Sequence, residues 1–202
     1  MSLKIKHGRI IFTIPYGKGL EERAMSFLNS HIEWLNQSLK KIKKIYLKID
    51  DNIEIFGNIY NIILNENKNS EIVTLTNNQL LVSYRVVGKE EKHITKFLSL
   101  YLRQEIIKIA DVICHQIDMT YTKICIKEMQ TKWGSCSSQG NLSFNWKLVF
   151  FEKNILEYVV IHEICHLKEM NHSKRFWQLV QDHCPQWTEA CEWLKSGGVY
   201  IL

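Results

Sequence analysis

Asn154-Ile155-Leu156-Glu157-Tyr158-Val159-Val160-Ile161-His162-Glu163-Ile164-Cys165-His166-Leu167 is the stretch on which the reading of this chain turns. Its periodicity predicts a helix near 154–170, opened by Asn154 and Glu157 in the spacing of a capping box. It is apolar almost all round, which marks a helix buried on every side. Yet its centre holds His162, Glu163 and His166. Burying such groups unpaired costs several kcal/mol. Something must compensate, and a metal ion would.

His162 and His166 are one helical turn apart, so both imidazoles project from one face. Two ligands so placed fit two corners of a zinc tetrahedron. Glu163 falls on the neighbouring side, within reach of a zinc-bound water as general base, without ligating the metal itself. H-E-x-x-H on a helix is the zincin signature for this reason. His172 would point away on one continuous helix. Asn171 and Ser173, however, favour a helix end and a helix start. A turn at 170–172 would bring His172 back as the third ligand and leave a fourth position open, as in catalytic zinc sites. A closed structural site would need a fourth ligand, for which Cys165 and Cys184 are the candidates. His183 reads as a charge at a helix C-terminus.

Outward from this helix, two further helices are expected near 173–183 and 186–195. On the other side, residues 121–150 read as a β pair. Ile124 and Ile126 alternate on one strand; Leu142, Phe144, Trp146 and Leu148 alternate on the other. The hairpin at 139–149 directly precedes the zinc helix and is the expected sheet edge for an extended substrate. The connection Trp133-Gly134-Ser135-Cys136 reads as a tight loop lining or supporting the site, with Gly134 permitting an unusual backbone conformation. Cys136 as a nucleophile would be superfluous beside an activated water.

Upstream, a long helix is expected from near Lys89, with Ile94, Phe97, Leu98, Tyr101, Leu102, Ile106, Ile109 and Ile113 on one stripe. Residues 53–84 read as two hairpins turning at Gly57-Asn58 and Asn77-Asn78. Residues 3–14 form another hairpin, with Gly8 at its turn and Pro15 and Gly17 closing it. A helix from Leu20 carries Ala24, Phe27, Leu28, His31, Ile32 and Leu35 and runs out at Lys40-Lys41-Ile42-Lys43-Lys44. The fold class is α+β. An N-terminal portion, residues 1–88, carries antiparallel β-hairpins with a helix. A C-terminal portion, residues 89–202, packs zincin-like helices on a β-sheet, and the two share one core.

Composition narrows the function classes. The 202 residues are 46% hydrophobic and 23% charged, with 9 Gly and 2 Pro, which excludes disordered and collagen-like chains. No apolar run approaches the roughly 18–20 residues of a membrane span. The start of the chain shows no signal-peptide core, and the six cysteines include no C-x-x-C pair. A cytoplasmic protein with reduced thiols is the expectation. A net charge of +5 is mildly basic, and no strongly basic stripe argues for nucleic acid.

The chain resembles the YgjP-like metallopeptidase family, which is related in pattern to SprT-like and WLM zinc peptidases. The resemblance rests on Lys132-Trp133-Gly134-Ser135-Cys136-Ser137 with Gly140, on Asn145-Trp146-Lys147-Leu148, on Tyr158 through Leu167, and on Asn171-His172-Ser173-Lys174-Arg175-Phe176-Trp177. It extends more loosely over the N-terminal hairpins. It implies a zinc-dependent hydrolase with His162, His166 and His172 as ligands and Glu163 as general base. Lys132 stands where the family is expected to carry Arg, which keeps charge but loses bidentate recognition.

Three functions follow as expectations. The first is a metallopeptidase acting on a peptide or protein. The second is a nucleoside triphosphate pyrophosphatase, because the resemblance extends to members assigned hydrolysis of UTP to UMP and diphosphate. That reaction needs cations around a polyphosphate, and Lys132, Lys147, Lys174 and Arg175 are the candidates, with Trp133 as a further substrate contact. The third is a non-enzymatic, zinc-stabilised binding module.

Overall fold

The computed structural model describes residues 1–6, 9–14, 20–33, 52–67 and 69–196. The Gly8 turn, the Pro15 and Gly17 closure, Leu35 and the lysine run at 40–44 lie outside these. The chain forms two compact units, residues 1–45 with 193–202, and residues 46–192.

In the first unit β1 (Ser2–Lys6) and β2 (Arg9–Thr13) pair antiparallel, from Ser2 opposite Thr13 to Lys6 opposite Arg9. This is the expected hairpin. Helix α1 (Glu21–Ser30) begins with Glu21 and Glu22, whose charge suits a helix N-terminus. Ala24 is buried, and Phe27 stacks on both Phe12 and His31.

The second unit contains two sheets. In the first, β3 (Asn52–Ile55) pairs antiparallel with β4 (Asn58–Glu66), and β5 (Ile72–Leu75) pairs antiparallel with β6 (Gln79–Tyr84). Both hairpins are as expected, but the first turn is one residue earlier. Phe56 and Gly57 carry the positive φ values, +49° and +80°, and Asn58 already pairs with Ile55. A buried Phe56 tolerates that conformation because its amide donates to the Val149 carbonyl at 2.9 Å. The hairpins join through β4 and β6, which run parallel, giving the order β3-β4-β6-β5.

Helix α2 (Glu90–Gln116) is the spine of this unit. Ile94, Leu98, Leu102, Ile106 and Ala110 recur every four residues and are fully buried. Each large aliphatic side chain buried this way contributes about 1.5–3 kcal/mol. One stripe packs toward β5 and β6 and also toward the second sheet and the helix that carries the histidines.

The second sheet comprises β7 (Lys123–Lys127), β8 (Gly134–Cys136) and β9 (Asn141–Asn145), in the order β7-β9-β8. Here the structure corrects the sequence reading. β7 and β9 are parallel, and the connection between them is itself a strand, β8, antiparallel to β9. The 139–149 segment therefore supplies the central strand, and the edges are β7 and β8. Nor does β9 continue through Trp146 and Leu148. The Asn145 side chain accepts from the Lys147 amide at 3.2 Å and starts a 3₁₀ helix over Trp146–Phe150.

Helix α3 (Lys153–Cys165) follows, then α4 (Lys174–His183) and α5 (Trp187–Ser196). The expected capping box is not formed. Glu152 is the N-cap, without a side-chain cap bond, and Asn154 turns its oxygen to the Ile155 amide. α3 also ends five residues early, in a tight turn where the Leu167 amide donates to Ile164 and the Glu169 amide to Cys165. Ser173 caps α4 by accepting from the Phe176 amide, as its sequence position predicts. No helix of the described residues is long and apolar enough to cross a membrane. The class is α+β.

Candidate metal centre

α3 is buried on nearly every side, including Ile155, Leu156, Val159, Val160 and Ile164. That packing fixes the rotation of the helix, and with it the direction of His162 and His166. The early end of α3 then frees residues 169–172 to fold back before α4 begins. His162, His166 and His172 come together so that one ligand atom from each lies within 4.8 Å of the others. Among the described residues this is the group that could hold a metal ion, and neither Cys165 nor Cys184 is part of it.

The donor chemistry fits a divalent cation. Burial pushes the His162 imidazole down to about 3, assisted by His166 and His172, and burial lowers His166 as well. Neutral imidazole is the form that ligates. His166 donates Nδ1–H to the Glu169 carbonyl at 3.0 Å, so its Nε2 carries the free lone pair. His162 Nδ1 faces the Tyr158 hydroxyl at 3.5 Å. The Nε2 atoms of His162 and His172 face each other at 3.1 Å. Two such acceptors at that distance need a proton or a cation between them. Tetrahedral zinc with Zn–N near 2.1 Å separates its ligand nitrogens by about 3.4 Å.

Phe176 is the floor of the cluster. It is fully buried, stacks on His166 at 4.5 Å between centroids, and meets His162 and His172 edge-on at 4.9 and 4.7 Å. Its position, four residues after His172 in the Asn171–Trp177 motif, is the sequence signal for it.

Glu163 is 8% exposed and packs against β8. Burial lifts its carboxyl to about 7, against the opposing pull of Lys132 and of a hydrogen bond from the Cys136 backbone. Gly134 explains the approach. A Cβ built there would lie 2.5 Å from Glu163 Cγ and 2.7 Å from Oε1. The backbone of Gly134 has no positive φ. The expectation of an unusual conformation is thus replaced by a steric one: the missing side chain makes room for the carboxylate. Cys136, also on β8, has its thiol pushed up to about 11 by burial and by Glu163. A neutral thiol is a poor nucleophile.

The remaining residues singled out in the sequence have different surroundings. Lys132 is exposed and electrostatically coupled to Glu163. Trp133 is half-buried, edge-on to Phe151 at 4.6 Å, with its indole N–H buried and without a partner among the described residues. Lys147 pairs with Glu128 at 3.7 Å. Lys174 and Arg175 are exposed on the first turn of α4. Asn145, fully buried, is a residue whose role the sequence did not reveal. Its side chain donates to the Met129 carbonyl at 2.9 Å and to that of Lys132 at 3.4 Å, and its own amide donates to Trp133. It ties the approach to β8 onto β9.

A search of curated proteins finds no match. Among solved structures, the chain is similar to the metallopeptidase zymogen of Pyrococcus abyssi abylysin, at 20% identity over 45% of this chain and 92% of that one, with a TM-score of 0.41. It is also similar to the metallopeptidase zymogen of Methanocaldococcus jannaschii jannalysin, at 25% identity over 43% and 93%, with a TM-score of 0.37. The model of the YgjP-like metallopeptidase domain matches residues 1–197. This chain belongs to the YgjP-like metallopeptidase family.

Proposed function

We propose that the chain is a zinc-dependent peptidase in which His162, His166 and His172 hold the metal and Glu163 is the general base. The observation that carries this is the convergence of three imidazole nitrogens within 4.8 Å, with the carboxylate of Glu163, next in sequence to His162, buried. When bound, zinc supplies Lewis acidity, polarising a carbonyl and making a water acidic near neutral pH. Glu163 takes the proton as that carbonyl is attacked and delivers it to the departing amine. Gly134 and the Cys136 backbone hold the carboxylate in place for this, and Lys132 favours its charged form.

The place of β8 at one edge of its sheet supports a peptide substrate: an extended segment can lie along it, beside the Glu163 carboxylate that takes the Cys136 N–H. A polyphosphate would instead need several cations gathered at one point; of the four candidates, Lys147 pairs with Glu128.

The test is hydrolysis of a mixed peptide library by the zinc-loaded protein, beside Glu163→Gln and beside a nucleoside triphosphate assay. The expected result is peptide cleavage reduced at least 100-fold in Glu163→Gln, with metal retained. Triphosphate cleavage that depends on Glu163, without peptide cleavage, would replace this reading. Metal binding with neither activity would favour the non-enzymatic module.

A further inference from the structure

Resting on that assignment of the three ligands, we infer that Trp177, backed by Trp187, is the positioning residue for His172. The three histidines are not held alike. His166 is locked by its bond to the Glu169 carbonyl, and His162 sits on a buried helix with Tyr158 beside Nδ1. His172 is exposed, lies between α3 and α4, and has no protein hydrogen bond outside the cluster among the described residues. A metal-ligating histidine ordinarily has its second ring nitrogen fixed by a hydrogen bond. Here the structure offers an aromatic face instead. Trp177 stacks on His172 at 5.6 Å and 28°, and meets His162 edge-on at 5.8 Å.

Trp177 is itself held. Trp187, at the start of α5, stacks on it at 4.5 Å and 25°. The Trp187 indole N–H donates to the Gln181 side-chain oxygen at 2.7 Å, which ties α5 to α4. The stack therefore runs from α5 through α4 to the ligand that lies farthest along the chain from α3. Its electronic sense is favourable. A ligated imidazole becomes electron-poor, and an electron-rich indole face attracts it more strongly than it attracts the free ring. The arrangement thus fixes the ring plane of His172 and favours the loaded state.

The test is Zn²⁺ affinity by competition with a chromophoric chelator, together with the visible absorption of the Co²⁺-loaded protein. Trp177→Leu should bind Zn²⁺ about 10–100-fold more weakly and shift the Co²⁺ bands. Trp177→Phe, which keeps an aromatic face, should recover most of the affinity. Trp187→Leu, one layer further out, should weaken binding by a smaller factor and carries the test if Trp177→Leu fails to fold. Wild-type Zn²⁺ affinity and an unchanged Co²⁺ spectrum in folded Trp177→Leu would overturn this inference while leaving the metal site standing. A wild-type chain that takes up neither ion would overturn both.

Discussion

Gly134→Ala adds one methyl group and should disable Glu163 without disturbing the metal. The added Cβ would lie 2.5 Å from Glu163 Cγ, 2.7 Å from Oε1 and 2.8 Å from Cδ. Carbon atoms pack at about 3.5 Å or more, so the carboxylate must move by about 1 Å. The backbone at Gly134 has no positive φ, so alanine brings no conformational strain of its own. Glu163 is buried and cannot shift freely. A 1 Å misplacement of a catalytic group lowers turnover by about 100-fold, equivalent to about 2.7 kcal/mol. The assay is steady-state peptide hydrolysis, read with zinc content and Tm on the same preparation. The control is the cycle with Glu163→Ala, which removes every Glu163 atom that the new methyl strikes. Gly134→Ala should cost far less in the Glu163→Ala background than alone. Wild-type turnover in Gly134→Ala, or full additivity in the cycle, would refute the argument.

Phe176→Ala should destabilise the protein by about 3–5 kcal/mol through the cavity it leaves, and should weaken Zn²⁺ binding as well, read by Tm and chelator competition. Asn145→Ala removes the side-chain donor from the Met129 and Lys132 carbonyls; at about 0.5–1.5 kcal/mol for each lost hydrogen bond, Tm should fall, and amide exchange over 129–133 should accelerate. Cys114, whose thiol burial and Asp111 push up to about 11, loses its proton only as pH rises toward that value. Its thiolate fraction at pH 8 is about one in a thousand, so iodoacetamide labelling followed by mass spectrometry should be negligible there and rise about tenfold per pH unit.

The parts of the site that sequence revealed are those with local signals. The H-E-x-x-H spacing, the apolar surround of His162 and the Ser173 cap that returns His172 are all readable within twenty residues. So is the four-residue recurrence of Ile94, Leu98, Leu102 and Ile106 along α2. What escaped is non-local. Alternation of Ile124 and Ile126 announces a strand but carries no direction or partner, so the parallel pairing of β7 with β9 was hidden. Gly134-Ser135-Cys136 has no apolar alternation, and its role as a sheet edge arises only once β9 has been placed. The end of β9 depends on one side-chain bond, from the Lys147 amide to Asn145. The need for glycine at 134 is steric and non-local, because the atom that excludes a side chain there belongs to Glu163, 29 positions along the chain.

The most direct test of the central claim is elemental zinc analysis of the purified, tag-free protein beside His172→Ala. The account predicts about one zinc per chain in the wild type and loss of most of it in the variant, because His172 closes a three-nitrogen site that His162 and His166 cannot complete alone. No zinc in the wild type after incubation with the metal, or equal zinc in both proteins, would contradict it.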